Sequence, residues 1–169
     1  SVYYRIGMKN KDHDRNEEAV QSFKRLMQIN PDYIDAPLAD IAMIEILLVQ
    51  QKFDEAQEYR YVVVKRYDKN SSWRKKNTKY KESVANADKA IRGAMLEIPH
   101  YHHQQAAKIT KEGDIEGGKR RYAEAIKAYE AFLNRYWIVT KSKHKNRSKQ
   151  HPKEDCNQWH SPFLSFLRH

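Results

Sequence analysis

One short phrase occurs three times in the chain, and this repetition restricts the fold more than any other feature. Each copy has an alanine three positions after its start and an aromatic residue three or four positions later: Ala19 with Phe23, Ala56 with Tyr59, and Ala125 with Tyr129. The alanines are 37 and 69 residues apart, close to one and two periods of about 34 residues. A small residue at a fixed place lets two helices approach closely. The repetition therefore predicts an array of paired helices.

The residues around each phrase have the spacing of an amphipathic helix. In the third copy, Tyr122, Ile126, Tyr129, Leu133 and Tyr136 recur at three- and four-residue steps. In the first copy Pro31 follows the last apolar residue and terminates the helix, because proline has no amide hydrogen to donate. The pattern predicts helices throughout and gives no sign of strands.

The spacing of small residues resembles the tetratricopeptide repeat (TPR) family. In that family a glycine of the first helix precedes the small residue of the second by about twelve positions, as Gly7 precedes Ala19 and Gly113 precedes Ala125. The second copy departs from the pattern, with Ile44 in place of the glycine. The resemblance implies an all-α fold of antiparallel helix pairs stacked as a right-handed superhelix.

The repeats also predict the domain organisation. We expect a helical repeat domain over residues 1–137, with repeats at about 1–33, 36–68 and 104–137 and a divergent long helix at about 71–98 that Pro99 ends. A further helix is expected from about 101 to 112. Residues 138–169 hold about half of the net charge of +10 and continue none of the periodicity. They are expected to be a disordered basic tail.

The compartment stays open at the level of sequence. Residues 64–67 and 132–136 are similar to the repeat endings of bacterial envelope TPR proteins, including outer-membrane-protein assembly lipoproteins. That similarity implies a periplasmic, outer-membrane-associated location, and a cytoplasmic one remains an alternative. The single cysteine, Cys156, leaves no internal disulfide to separate the two.

The sequence lacks the patterns of the common catalytic and metal sites. The glycines of residues 113–118 lack the Lys-Ser/Thr ending of a phosphate-binding loop and indicate a turn. Near His100, His102 and His103 no partner cysteine or glutamate completes a metal site. We therefore expect no enzymatic activity, no metal and no cofactor.

The resemblance places a partner-binding groove along the first helix of each pair. The residues that it implies for this groove are Tyr4, Met8, Lys11, Ile41, Glu45, Leu48, Thr110 and Asp114. A groove of this composition suits an apolar or amphipathic peptide segment. We expect a non-catalytic scaffold that binds a protein or peptide. The alternative is a nucleic-acid-binding protein that uses the basic segments 60–81 and 141–153.

Overall fold

The computed structural model describes the backbone of residues 1–147 and the side chains of residues 1–136. Within residues 1–147 all the regular structure is α-helical, which confirms the predicted all-α class. The helices in chain order are α1 (Val2–Asp12), α2 (Asn16–Ile29), α3 (Ala36–Val49), α4 (Phe53–Arg66), α5 (Ser72–Asn77), α6 (Lys81–Lys111) and α7 (Ile115–Arg147). The right-handed superhelix stays a prediction.

The chain divides into two compact units, residues 1–132 and 133–169. The first unit holds α1 to α6 and the first half of α7. Of the second unit only the last part of α7 belongs to the described residues. None of the described helices is long and apolar enough to cross a membrane.

Three turns between helices share one hydrogen-bonding pattern. The amide just before the second helix donates to the carbonyl five positions earlier: Arg15 to Asn10, Lys52 to Leu47, and Asp114 to Ile109. The preceding residue has a positive φ in every case: 57° at Asp14, 58° at Gln51 and 101° at Gly113. This is the six-to-one bond of a helix C-terminal cap. The pairs α1–α2, α3–α4 and α6–α7 are therefore repeats of one local structure.

The shared turn corrects the register of the third repeat. The residue four positions after the turn is buried each time, and its amide donates to the carbonyl of the residue that ends the turn: Ala19 to Arg15, Ala56 to Lys52, and Gly118 to Asp114. Gly118, and not Ala125, is thus the equivalent of Ala19. Gly113, predicted inside the first helix, lies in the turn. The error has a simple cause, since seven residues make about two helical turns and Ala125 is buried on the same face of α7.

Glycine is needed where α1 crosses α2. Gly7 is buried, and a Cβ atom added there would lie 2.4 Å from Cε1 of Phe23. Phe23 itself is fully buried, beside Ala19 and Leu26. The missing side chain of Gly7 therefore lets the phenyl ring of α2 pack against the backbone of α1.

Two apolar clusters form the core. The first lies among α1, α2 and α3 and is built on Phe23, Leu26, Met43 and Ile46. The second joins α3, α4, α5 and α6 and is built on Ala36, Val63, Tyr67, Trp73, Ala87, Ala90, Ile91 and Ala94. Because α3 contributes to both clusters, it is the central helix of the first unit.

The long helix predicted from residue 71 is interrupted. Ser71 caps the short α5, since its side-chain oxygen accepts a hydrogen bond from the amide of Arg74. The indole nitrogen of Trp73 donates to the carbonyl of Tyr33 over 2.9 Å, and Asn77 donates to the carbonyl of Asp32 over 3.1 Å. These contacts fix a separate short helix, which local helix propensity alone did not reveal.

The prediction that Pro99 ends a helix is wrong. Helix α6 runs through Pro99 without a break, so residues 101–112 do not begin a new helix. An interior proline costs about 3 kcal/mol. Buried contacts on both sides offset this cost, because Ile98, Pro99 and His102 are buried. In addition, Gln57 on α4 donates to the carbonyl of Ile98.

Helix α7 extends into the segment that was predicted to be a disordered basic tail. Helix α7 continues past residue 137 to Arg147, so the expectation of disorder is wrong for residues 138–147. Residues 148–169 lie outside the described part of the chain. The prediction for them stays untested.

Candidate partner-binding face

Helix α3 is apolar on nearly its whole circumference. Twelve of its fourteen residues are apolar, and Asp40 and Glu45 are the exceptions. A helix of this kind is normally buried all round. Here α1, α2, α4 and α6 contact it, yet Ile41 and Leu48 are only half-buried and Val49 is 72% exposed. One apolar side of α3 therefore remains open to solvent.

Helix α1 lies beside this open side. Lys11 forms an ion pair with Glu45 over 3.0 Å, and the Tyr4 ring lies 5.6 Å from that of Tyr33, just before α3. Met8 is half-buried against the first apolar cluster. Six of the residues predicted for the groove therefore lie on two helices that contact each other, and the Lys11–Glu45 pair joins the two helices: Tyr4, Met8 and Lys11 on α1, and Ile41, Glu45 and Leu48 on α3. We call these six the α1–α3 face.

The structure does not bring the other two predicted residues to this face. Thr110 is in the last turn of α6, and Asp114 ends the turn before α7. The Asp114 carboxylate accepts a hydrogen bond of 2.7 Å from the amide of Gly117, which satisfies an otherwise free donor of α7. The Thr110 hydroxyl occupies the space that a Cβ atom on Gly118 would need. Both side chains therefore stabilise the junction of α6 and α7.

A buried polar network lies on the inner side of α3. The Asp40 carboxylate is fully buried and accepts hydrogen bonds of 2.6 Å from the hydroxyls of Tyr59 and Tyr67, and it pairs with Arg66. Burial, reinforced by the negative Asp40, raises the pKa of both tyrosines above the ordinary value of 10.0. Burial alone would lower the pKa of Arg66, but the carboxylate of Asp40 together with Tyr59 and Tyr67 outweighs this effect and raises that pKa. The network pairs its buried polar groups and holds α3 on α4.

A second concave surface, which the sequence did not reveal, lies between α2 and α4. It encloses about 330 Å³ above a floor of Val20, Met43, Leu47 and Tyr59. Charged residues of both signs line its rim, including Glu17, Lys24, Lys52 and Glu55. The sequence does place two apolar residues of this surface close to the repeat alanines: Val20 next to Ala19, and Tyr59 three residues after Ala56. Spacing alone could not show that these side chains leave a gap.

The three histidines of α6 have different surroundings. His102 is buried, with its Nε2 atom 2.8 Å from the hydroxyl of Tyr61. Its Nδ1 atom lies 3.3 Å from a Glu124 oxygen without forming a hydrogen bond. His100 and His103 are exposed. Among the described side chains no three His, Cys, Asp or Glu residues are grouped so as to hold a metal ion.

Comparisons of the chain with protein-family models, with curated proteins and with solved structures give no match in any of the three. Among the described surfaces of the chain, the α1–α3 face combines half-buried apolar side chains with a defined ion pair.

Proposed function

We propose that the protein is a non-catalytic scaffold and that an apolar or amphipathic segment of a protein partner docks on the α1–α3 face. The observation that carries this proposal is the open apolar side of α3. Complete burial of a large aliphatic side chain contributes about 1.5–3 kcal/mol relative to full exposure. Ile41 and Leu48 are half-buried, so a partner that covers them gains a part of this energy.

The ion pair at the centre of the face is easily exchanged. The side chains of Lys11 and Glu45 are 29% and 53% exposed. A pair of this exposure contributes about 0–1 kcal/mol to stability. A partner that carries its own charged group can therefore replace one member at little cost. This arrangement favours an amphipathic segment over a wholly apolar one.

The support behind the face keeps it in shape before a partner arrives. Asp40, bound to two tyrosines and an arginine, fixes the buried side of α3 to α4. A surface that is already ordered loses less conformational entropy on binding. A role in bacterial envelope assembly is part of the proposal, and it rests on the sequence similarity of residues 64–67 and 132–136 alone.

The test is capture of proteins from a nuclease-treated lysate of the source cells at high salt, using the full chain and matched variants. Glu45→Lys is expected to reduce a specifically retained protein about tenfold, which corresponds to about 1.4 kcal/mol. Glu112→Lys is the control, because it makes the same charge change at an exposed residue at the end of α6. Equal capture by the wild type and Glu45→Lys would mean that the face is not the binding site.

A double variant separates binding from folding. Lys11→Glu with Glu45→Lys restores an ion pair within the chain but reverses the charges offered to a partner. We expect an unchanged circular dichroism spectrum and melting midpoint, with capture still lost. Recovery of capture in the double variant would show that the pair acts only on the shape of α1 and α3, and the docking proposal would fail.

A further inference from the structure

A lysine-rich surface lies where α4 ends and α6 begins, apart from the residues of the α1–α3 face. Residues 65–81 contain eight Lys or Arg and one acidic residue, Asp68. Three of the cations have carboxylate partners: Arg66 with Asp40, Arg74 with Asp88, and Lys76 with Asp32. The other five are exposed and pair with no carboxylate among the described side chains: Lys65, Lys69, Lys75, Lys79 and Lys81. We call these five lysines, together with Tyr80, the basic corner.

The backbone that carries the basic corner is held firmly. Trp73, Arg74 and Asn77 of α5 are all buried. Through them α5 donates hydrogen bonds to the carbonyls of Tyr33, Tyr67 and Asp32. Helix α5 is therefore anchored to two separate segments, residues 32–33 and Tyr67, and the exposed Lys75 lies on this ordered support. Binding at this surface costs little backbone entropy.

An exposed aromatic ring lies next to two of these lysines in the chain. Tyr80 is 42% exposed and lies in the chain between Lys79 and Lys81. The Lys79 ammonium group is 5.0 Å from the centre of the ring. A phenol ring with lysines around it can stack on a nucleobase while the lysines meet the phosphates. An acidic peptide would satisfy the lysines, but its carboxylates would not stack on the ring.

We propose that the basic corner is a binding site for single-stranded nucleic acid, in which the lysines contact phosphates and Tyr80 stacks on one base. This site is independent of the α1–α3 face, so either proposal can fail without the other. Recognition is by charge and stacking, without base-specific hydrogen bonds. It therefore tolerates different sequences and weakens steeply with salt.

The test is fluorescence anisotropy of a labelled oligo(dT) probe with the full chain over a series of NaCl concentrations. Single-strand binding changes the slope of log K against log salt by about −0.7 for each phosphate neutralised. Lys75→Gln with Lys79→Gln is therefore expected to make the slope shallower by about 1.4. Tyr80→Ala is expected to weaken binding about fivefold or more and to leave the slope unchanged.

A matched control distinguishes a site from a general charge effect. Lys24→Gln with Lys52→Gln removes two exposed lysines that line the groove between α2 and α4. It makes the same change in net charge, and we expect it to leave the slope as in the wild type. An equal loss in both double variants would overturn the proposal, because net charge alone would then explain binding.

Two further results would also overturn it. One is competition by poly-glutamate as effective as that of unlabelled oligo(dT), with no effect of Tyr80→Ala. That outcome would assign the corner to an acidic protein partner. The other is binding that the variants leave unchanged, or no binding at low salt. Circular dichroism of each variant checks that the helices are intact.

Discussion

Replacing Gly7 by alanine tests the close approach of α1 and α2. The added Cβ atom would lie 2.4 Å from a carbon of the Phe23 ring, well inside van der Waals contact. Phe23 is fully buried, so the ring has little room to move. Overpacking of this kind costs about 1–3 kcal/mol. Alanine is also the better helix former and recovers about 1 kcal/mol.

Gly93→Ala is the matched control, because Gly93 is also inside a helix but has nothing within 4 Å of an added Cβ atom. The gain in helix propensity is common to both variants and cancels when they are compared. Gly7→Ala should therefore be less stable than Gly93→Ala by about 1–3 kcal/mol, the overpacking cost alone. For a chain of this size the difference in melting temperature is about 2–4 °C per kcal/mol.

The assay is urea unfolding followed by circular dichroism for the wild type and both variants. Phe23→Leu in the Gly7→Ala background adds a direct check, since a smaller side chain should remove part of the clash and give a favourable coupling energy. Equal stability of Gly7→Ala and Gly93→Ala would contradict this prediction. It would mean that α1 and α2 are not packed through Gly7 and Phe23.

Two other perturbations test the buried polar groups. Asp40→Ala should lower stability by about 3 kcal/mol in the same unfolding assay, because it leaves a largely buried arginine and two tyrosine hydroxyls without their acceptor; stability within about 0.5 kcal/mol of the wild type would contradict this. Burial lowers the pKa of His102 below its ordinary 6.5, although the negative charge of Glu124 opposes this shift. The folded state therefore favours the neutral ring. Because the unfolded chain takes up the proton first, the fold loses stability as the pH falls through about 6.5. His102→Gln should reduce this loss between about pH 7.5 and 5.5, and the same pH dependence in the wild type and the variant would contradict the prediction.

The pattern of apolar and small residues was enough to predict helices and two of the helix pairs. Two predictions from this pattern were wrong, the helix end at Pro99 and the repeat register at Ala125. Pro99 is a good stop signal in an isolated helix, but in this chain tertiary contacts around His102 decide the outcome. Ala125 fits the repeat phrase as well as Gly118 does, because both are on one face of α7. Only the turn at Gly113, with φ of 101°, separates the two registers.

Repeat spacing also placed two residues wrongly at the candidate site, Thr110 and Asp114. Reasoning from repeats assumes that equivalent helices have equal lengths, and α6, with 31 residues, is more than twice as long as α3. Tyr101 meets Asp54 near the start of α4, so the part of α6 after it extends beyond that end of the α3–α4 pair. At 1.5 Å per residue, Thr110 lies about 14 Å farther along the helix. The prediction from repeat spacing is therefore correct in putting Tyr4 and Ile41 on neighbouring helices. It is wrong for Thr110, which lies too far along α6. The part of α6 beside α3 lies near Ser83, which donates to the carbonyl of Ile34, and any extension of the α1–α3 face must come from there.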